Sequence, residues 1–172
     1  MKIEKICVGT LKANCYILDI NNEVLLVDPG SEYDKINSKI NGRKILGILI
    51  THSHFDHIGA LDEFKDISVY SYSNLEEKEY KIGNFTFDVI YNPGHSNDSI
   101  SFYFKEEKVL FSGDFLFYHT IGRCDLPMSN YSDMLKSIEK IKKYPKDITV
   151  YPGHGRETTI EEEINNNMFF NL

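Results

Sequence analysis

The chain holds only three cysteines, Cys7, Cys15 and Cys124, odd in number and far apart. That excludes a disulfide framework and a Cys-x-x-Cys metal or redox motif, and points to a reducing, cytoplasmic compartment. Basic charge is also short. Nineteen Lys and Arg stand against 26 Asp and Glu, a formal net charge of −7. This excludes a protein whose main affinity comes from neutralising phosphates, so no nucleic-acid partner is expected. No apolar run approaches the roughly 18 to 20 residues of a membrane span, so no membrane partner is expected. Charges interrupt Met1 to Ile17 too often for a signal peptide. There is no linker, composition shift or internal repeat, and a single domain over residues 1–172 is expected. What the chain does have is histidine: six in all, five of them at the ends of predicted strands.

Short apolar stretches bounded by turn signals read as strands at Ile3–Val8, Cys15–Ile20, Val24–Val27, Ser68–Tyr72, Phe85–Tyr91, Ser99–Phe104, Val109–Ser112 and Ile148–Tyr151. The continuous run Ile45–Ile50 reads as a strand buried on both faces. Helical spacing predicts helices over Ser31–Asn41, His57–Lys65, Tyr131–Tyr144 and Thr159–Phe169. Lys136, Lys140 and Lys143 on the third of these read as a solvated face. Strands and helices alternate in both halves, so the class is α/β, with sheets layered inside helices.

The segment Thr51-His52-Ser53-His54-Phe55-Asp56-His57 follows the apolar strand and opens a helix, placing four metal-binding groups within six positions. His52 and His54, two apart, can project to one side of an extended segment. Asp56 and His57, on the first helical turn, can face a second centre. His95, Asp114 and His154 each follow a strand and a glycine, where backbone can approach closely and where ligand sites of α/β sheets gather. Imidazole and carboxylate without thiolate suit Zn²⁺ and also accept Fe or Mn. Seven ligands are too many for one tetrahedral ion and fit two ions sharing a carboxylate.

The order of these motifs resembles the metallo-β-lactamase fold superfamily along the length of the chain. Asn14-Cys15-Tyr16 and Val27-Asp28-Pro29-Gly30 match its N-terminal habits. Gly122-Arg123-Cys124-Asp125-Leu126-Pro127 and Gly155-Arg156-Glu157-Thr158-Thr159-Ile160 resemble the single-domain glyoxalase II-like hydrolases. The resemblance implies a four-layer αββα sandwich. It also implies a first metal held by His52, His54 and His95, a second by Asp56, His57 and His154, and Asp114 as the bridge. His54 rather than Glu speaks for a hydrolase over the flavodiiron oxygen reductases. Asp98 stands where the family usually has Gly, and Phe115 where it has Thr.

The chemistry expected is attack by a metal-bound hydroxide on a small-molecule thioester, with Asp56 as the catalytic group that orients the water and takes its proton. A thiolate leaves without a general acid, since its conjugate acid has a pKa of about 8.5. Arg123 can meet an anionic substrate or pair with Asp125, and Tyr118 and His119 are candidates for the substrate rim. Longer glyoxalase II enzymes continue into a helical domain that contacts glutathione. Only a short segment follows His154 here, so specificity for glutathione is not expected, and a different thiol carrier or a broad thioesterase activity stays open. The competing readings are a lactonase or phosphodiesterase on the same site, an iron persulfide dioxygenase, and a metal store without turnover. Nothing in the sequence specifies an oligomeric state.

Overall fold

Side chains of successive strand residues point to opposite faces, and in the central strands of this chain both faces are buried. The computed structural model describes residues 1–171. Strands β1 (Lys2–Val8), β2 (Ala13–Ile20) and β3 (Glu23–Val27) form an antiparallel meander. Strands β4 (Lys44–Leu49) and β5 (Val69–Tyr70) add to it in parallel, giving the order β1-β2-β3-β4-β5. A second sheet comprises β6 (Glu79–Ile82), β7 (Phe85–Tyr91), β8 (Ile100–Phe104), β9 (Val109–Gly113), β12 (Thr149–Pro152) and β13 (Thr158–Thr159), in the order β13-β12-β9-β8-β7-β6. A small hairpin, β10 (Leu116–Phe117) with β11 (Thr120–Ile121), follows β9.

One set of strand residues fills the space between the sheets: Tyr16 and Leu18, Leu25 and Val27, Phe85 and Phe87, Phe102 and Phe104. Their neighbours face outward. Ile17, Val24, Leu26 and Ile48 pack against Ile36 and Ile40 of helix α1 (Tyr33–Ile40). Ile90, Tyr103, Leu110 and Val150 pack against Met134, Ile138 and Ile141 of helix α3 (Tyr131–Ile141). The result is four layers, helix, sheet, sheet, helix, with each buried aliphatic or aromatic side chain contributing on the order of 2 kcal/mol. The run at Ile45–Ile50 is only partly as expected: Ile45 and Leu46 are half-buried, and full burial begins at Gly47.

The helices depart from expectation where a backbone group finds a partner outside the helix. Helix α1 begins at Tyr33 because Glu32 takes a left-handed conformation and its carboxylate accepts the Gly9 N–H at 2.8 Å. The helix expected over His57–Lys65 is instead a single turn, α2 (Phe55–Ile58), and a separate 3₁₀ turn at Leu61–Glu63. The Ala60 N–H donates to the Pro29 carbonyl at 3.0 Å, taking it out of any helical ladder. Gly30 permits that crossing, since a Cβ there would lie 1.6 Å from the Asp56 carbonyl oxygen. Helix α3 stops before Pro145, which disfavours helical geometry at the residue preceding it. The last expected helix ends as α4 (Ile160–Asn166), because the Asn167 amide bonds Glu163 and Thr120 while its oxygen accepts the Phe169 N–H. On α3, Lys136 pairs with Asp133 and Lys140 with Glu77, so that face is paired with acids and solvated. No helix among the described residues is long and apolar enough to cross a membrane.

Candidate metal centre

The strands β4, β7, β9 and β12 end at one place, and the loop after each delivers its chemistry-bearing side chains there. His52 and His54 lie in the loop after β4, His54 on extended backbone, and Asp56 and His57 on the single turn of α2. His95 follows β7, Asp114 follows β9 and His154 follows β12. The seven side chains fall into three sets of converging ligand atoms: His52, His54 and His95; His52, His57 and Asp114; Asp56, His57 and His154.

In the first set the His54 Nδ1 lies 3.1 Å from His52 Nε2 and 3.0 Å from His95 Nε2. Two imidazole nitrogens on one tetrahedral ion with bonds of about 2.05 Å sit about 3.3 Å apart, so this spacing is close to that of a ligand triangle. In the last set His154 Nε2 lies 3.2 Å from Asp56 Oδ2, and His57 Nε2 lies 3.7 Å from it. Asp114 stands between the two sets, with Oδ1 3.3 Å from His57 Nε2 and Oδ2 3.5 Å from His95 Nε2. His57 Nε2 and Asp114 Oδ1 are buried and have no hydrogen-bond partner. Buried polar atoms without partners are costly, and a cation between these residues would satisfy both. The donor set therefore fits metal ions. Close approach of the β12 loop makes this possible, because a Cβ on Gly153 would lie 2.2 Å from Asp114 Oδ1.

The outer nitrogens of the rings explain why the inner ones face the site. Asp28, left-handed at the end of β3, accepts the Thr51 N–H at 2.8 Å and the Thr51 hydroxyl at 2.6 Å. With its hydrogen spent on Asp28, the Thr51 oxygen accepts from His52 Nδ1 at 3.1 Å. The same Asp28 oxygen accepts from His57 Nδ1 at 2.9 Å. His95 Nδ1 donates to the Arg123 carbonyl at 2.9 Å and His154 Nδ1 to the Leu11 carbonyl at 3.1 Å. In each of these four rings Nδ1 is anchored outward and Nε2 faces inward, the arrangement that orients metal-binding histidines. Asn14 holds the loop that carries His154, donating to the carbonyls of Pro152 and Gly155, both at 3.0 Å. Asp98 joins the loops of the first set, accepting the Ser53 N–H at 3.0 Å and the Ser96 hydroxyl.

Charge divides the site. Burial, then the nearby His57 imidazole, pushes His52 well below its ordinary pKa, and burial and His95 lower His54. Burial also works against the charged form of His57, but the carboxylates of Asp114 and Asp28 on either side of the ring outweigh it and raise the pKa to about 10. Burial works against the Asp114 carboxylate too, yet His57 holds it below its usual range.

Above the cluster lies a cavity of about 670 Å³, floored by His54, Asp56, His95, Asp114 and His154. Its walls are Leu11, Phe55, Arg123, Leu126, Pro127 and Met128. Arg123 pairs with Asp125 through Nε at 2.7 Å and Nη2 at 2.9 Å. The expectation that Tyr118 and His119 line the rim is not met. His119 donates its N–H to the buried Glu163 and bonds Glu162 through Nε2 at 2.6 Å, while Tyr118 is sandwiched between His119 and Arg156. Phe115 is buried in the outer cluster and does not line the cavity. Sequence reasoning gave no site role to Asp28, Asn14, Thr51 or the carbonyls of Leu11 and Arg123. Asp28 and Asn14 lay inside motifs already noticed, whereas a carbonyl oxygen has no residue-type signal.

Residues 8–73 and 71–154 match the family model described as metallo-beta-lactamase superfamily. A probable metallo-hydrolase of Bacillus subtilis, YqgX, is 37% identical over 99% of this chain and 98% of its own. The hydroxyacylglutathione hydrolase GloC of Haemophilus influenzae is 29% identical over 99% of each chain. Among solved structures, BLEG-1, a B3 metallo-beta-lactamase, superposes with a TM-score of 0.92 at 35% identity, covering 98% of this chain and 99% of that one. TTHA1623 in a di-iron-bound form gives 0.87 at 32% identity, covering 96% and 99%.

Proposed function

The chain belongs to the metallo-β-lactamase superfamily, and from that premise we propose that it is a thioesterase of the glyoxalase II-like kind working with two divalent metal ions, most simply zinc. The observation that carries this reading is the pairing of two ligand sets around Asp114, with buried ligand atoms of His57 and Asp114 left without protein partners. His52, His54 and His95 would hold one ion, Asp56, His57 and His154 the other, and Asp114 would contact both. Iron is the competing occupant, since TTHA1623, with the same fold and 32% identity, is known in a di-iron-bound form. When bound, such a pair lowers the pKa of water toward neutrality and polarises a carbonyl.

The chain's own residues divide the remaining work. Asp56, on the floor of the cavity, takes the proton released when the water oxygen adds to the thioester carbonyl carbon. The carbon–sulfur bond then breaks, with its electron pair leaving on sulfur. A thiolate, whose conjugate acid has a pKa of about 8.5, departs without a proton donor, and no general acid is required on the leaving side. Asp28, Thr51 and the carbonyls of Leu11 and Arg123 keep the imidazoles aimed and in one tautomer throughout. Hydroxyacylglutathione hydrolase from Haemophilus influenzae, aligned along its whole length, supports an acyl-thiol substrate.

The test is metal analysis with a thioester panel on the wild type and on His54→Ala. Two ions per chain and thioester hydrolysis, both reduced in the variant, are expected. Hydrolysis no faster than with the free ions would end the thioesterase reading, and one iron per chain with oxygen consumption on a persulfide would replace it.

A further inference from the structure

The walls of the cavity say more about the substrate than its floor does. Among the described residues, Leu11, Phe55 and Met128 are 53%, 71% and 65% exposed, three of only six large apolar side chains left in solvent. All three gather on this one cavity, joined by Leu126 and Pro127. Two of these walls are tied to ligands by backbone. Leu11 presents its carbonyl to His154, and Phe55 sits between His54 and Asp56. On the other side Arg123 presents its carbonyl to His95, three residues before Leu126. Apolar surface therefore flanks the cluster on both sides, next to each ligand set.

Charge points the same way. Arg123 is the one permanent cation on the lining, and Asp125 engages it through two hydrogen bonds. With Asp125 beside it, Arg123 adds no net positive charge to the lining that would draw a carboxylate on the substrate. Exposed apolar side chains concentrated at a concave site mark the ligand they are built to cover. We infer that, within the thioesterase reading on which this rests, the substrate is an uncharged thioester with apolar groups on both sides of the scissile carbonyl, seated against Phe55 and Leu11 on one side and Leu126 and Met128 on the other. The reaction remains hydrolysis: water adds at the carbonyl carbon, the thiolate leaves, and a carboxylic acid and a thiol result.

The experiment uses zinc-loaded full-length protein with N-acetylcysteamine thioesters of acetic, butanoic, hexanoic and octanoic acids, beside S-lactoylglutathione. In parallel, the matching thioethers, which cannot be hydrolysed, are titrated calorimetrically. Both kcat/KM and affinity should rise about two- to threefold per methylene, below the roughly fourfold of complete burial. S-lactoylglutathione should be on the order of tenfold slower than the hexanoyl thioester. Phe55→Asp and Met128→Asp, at exposed positions, should flatten both series while circular dichroism and metal content stay as in the wild type. A flat or falling series, or a preference for S-lactoylglutathione, overturns the inference and leaves the thioesterase reading standing. Turnover of no thioester overturns that reading instead, and the thioether titration then decides whether the cavity takes apolar groups.

Discussion

The two ligand sets are built on opposite electrostatic plans. The set of His52, His54 and His95 is made of imidazoles only, with His52 and His54 held toward the neutral form mainly by burial. The set of Asp56, His57 and His154 mixes imidazole with carboxylate, and Asp114 and Asp28 on either side of His57 favour its protonated form, raising its pKa to about 10. Neutral imidazoles are ready for a cation, whereas a protonated one must first lose its proton. The two sets should therefore differ in how they respond to pH, substitution and metal supply.

The largest effect should come from Asp114, which joins the sets. Asp114→Ala would remove the ligand proposed to be shared and one of the two carboxylates that hold His57 in its charged form. Activity is expected to fall on the order of a hundred- to a thousandfold, with the second ion lost first. Equal loss of both ions in metal analysis would contradict the division. Next is Asp28→Asn, which disturbs the Thr51 hydroxyl behind His52 and the partner of His57 together. Metal affinity should weaken about 10- to 100-fold at both sets, read by competition with a chromogenic chelator. Arg123→Ala serves as the contrast: His95 is held by a backbone carbonyl, so its metal affinity should change little.

The pH response separates the sets without substitution. His57 has a pKa raised from its ordinary 6.5 to about 10, so its stabilising contribution is complete below 6.5 and is lost as pH climbs through about 10. Melting temperature of the metal-free protein should fall across that window, and loading at pH 7 should release about one proton. Calorimetry in buffers of different ionisation enthalpy measures the release; a value near zero would remove the electrostatic distinction. The smallest effect is predicted for Asp98→Gly, which loses the acceptor joining Ser53 to Ser96. Stability should drop by about 1 kcal/mol in a denaturant titration, with metal content unchanged.

Legibility in the sequence followed locality. Phe85–Tyr91 was read with the bounds it has, because its apolar pattern is unbroken and bounded by turn signals. Strands β6, β10, β11 and β13 were not read, being two to four residues long and defined by the neighbour they pair with. The helix expected over His57–Lys65 failed because Ala60 bonds a carbonyl thirty-one positions earlier in the chain. Asp28 was visible as part of a motif, but its service to two histidines depends on β3 ending beside β4. Tyr118 and His119 follow Asp114 closely in sequence, yet Glu162, Glu163 and Arg156 draw them to the C-terminal helix.

What the sequence by itself determined is the donor chemistry and its address: histidines and aspartates placed just after strands, where side-chain identity and local spacing carry the information. The tertiary structure alone decided which nitrogen of each ring faces inward, which carbonyls hold the rings, and which apolar residues wall the cavity. Those depend on backbone groups and on segments far apart in the chain, such as Leu11 with His154 and Arg123 with His95. A carbonyl is the same in every residue, so only its position in three dimensions makes it part of a site.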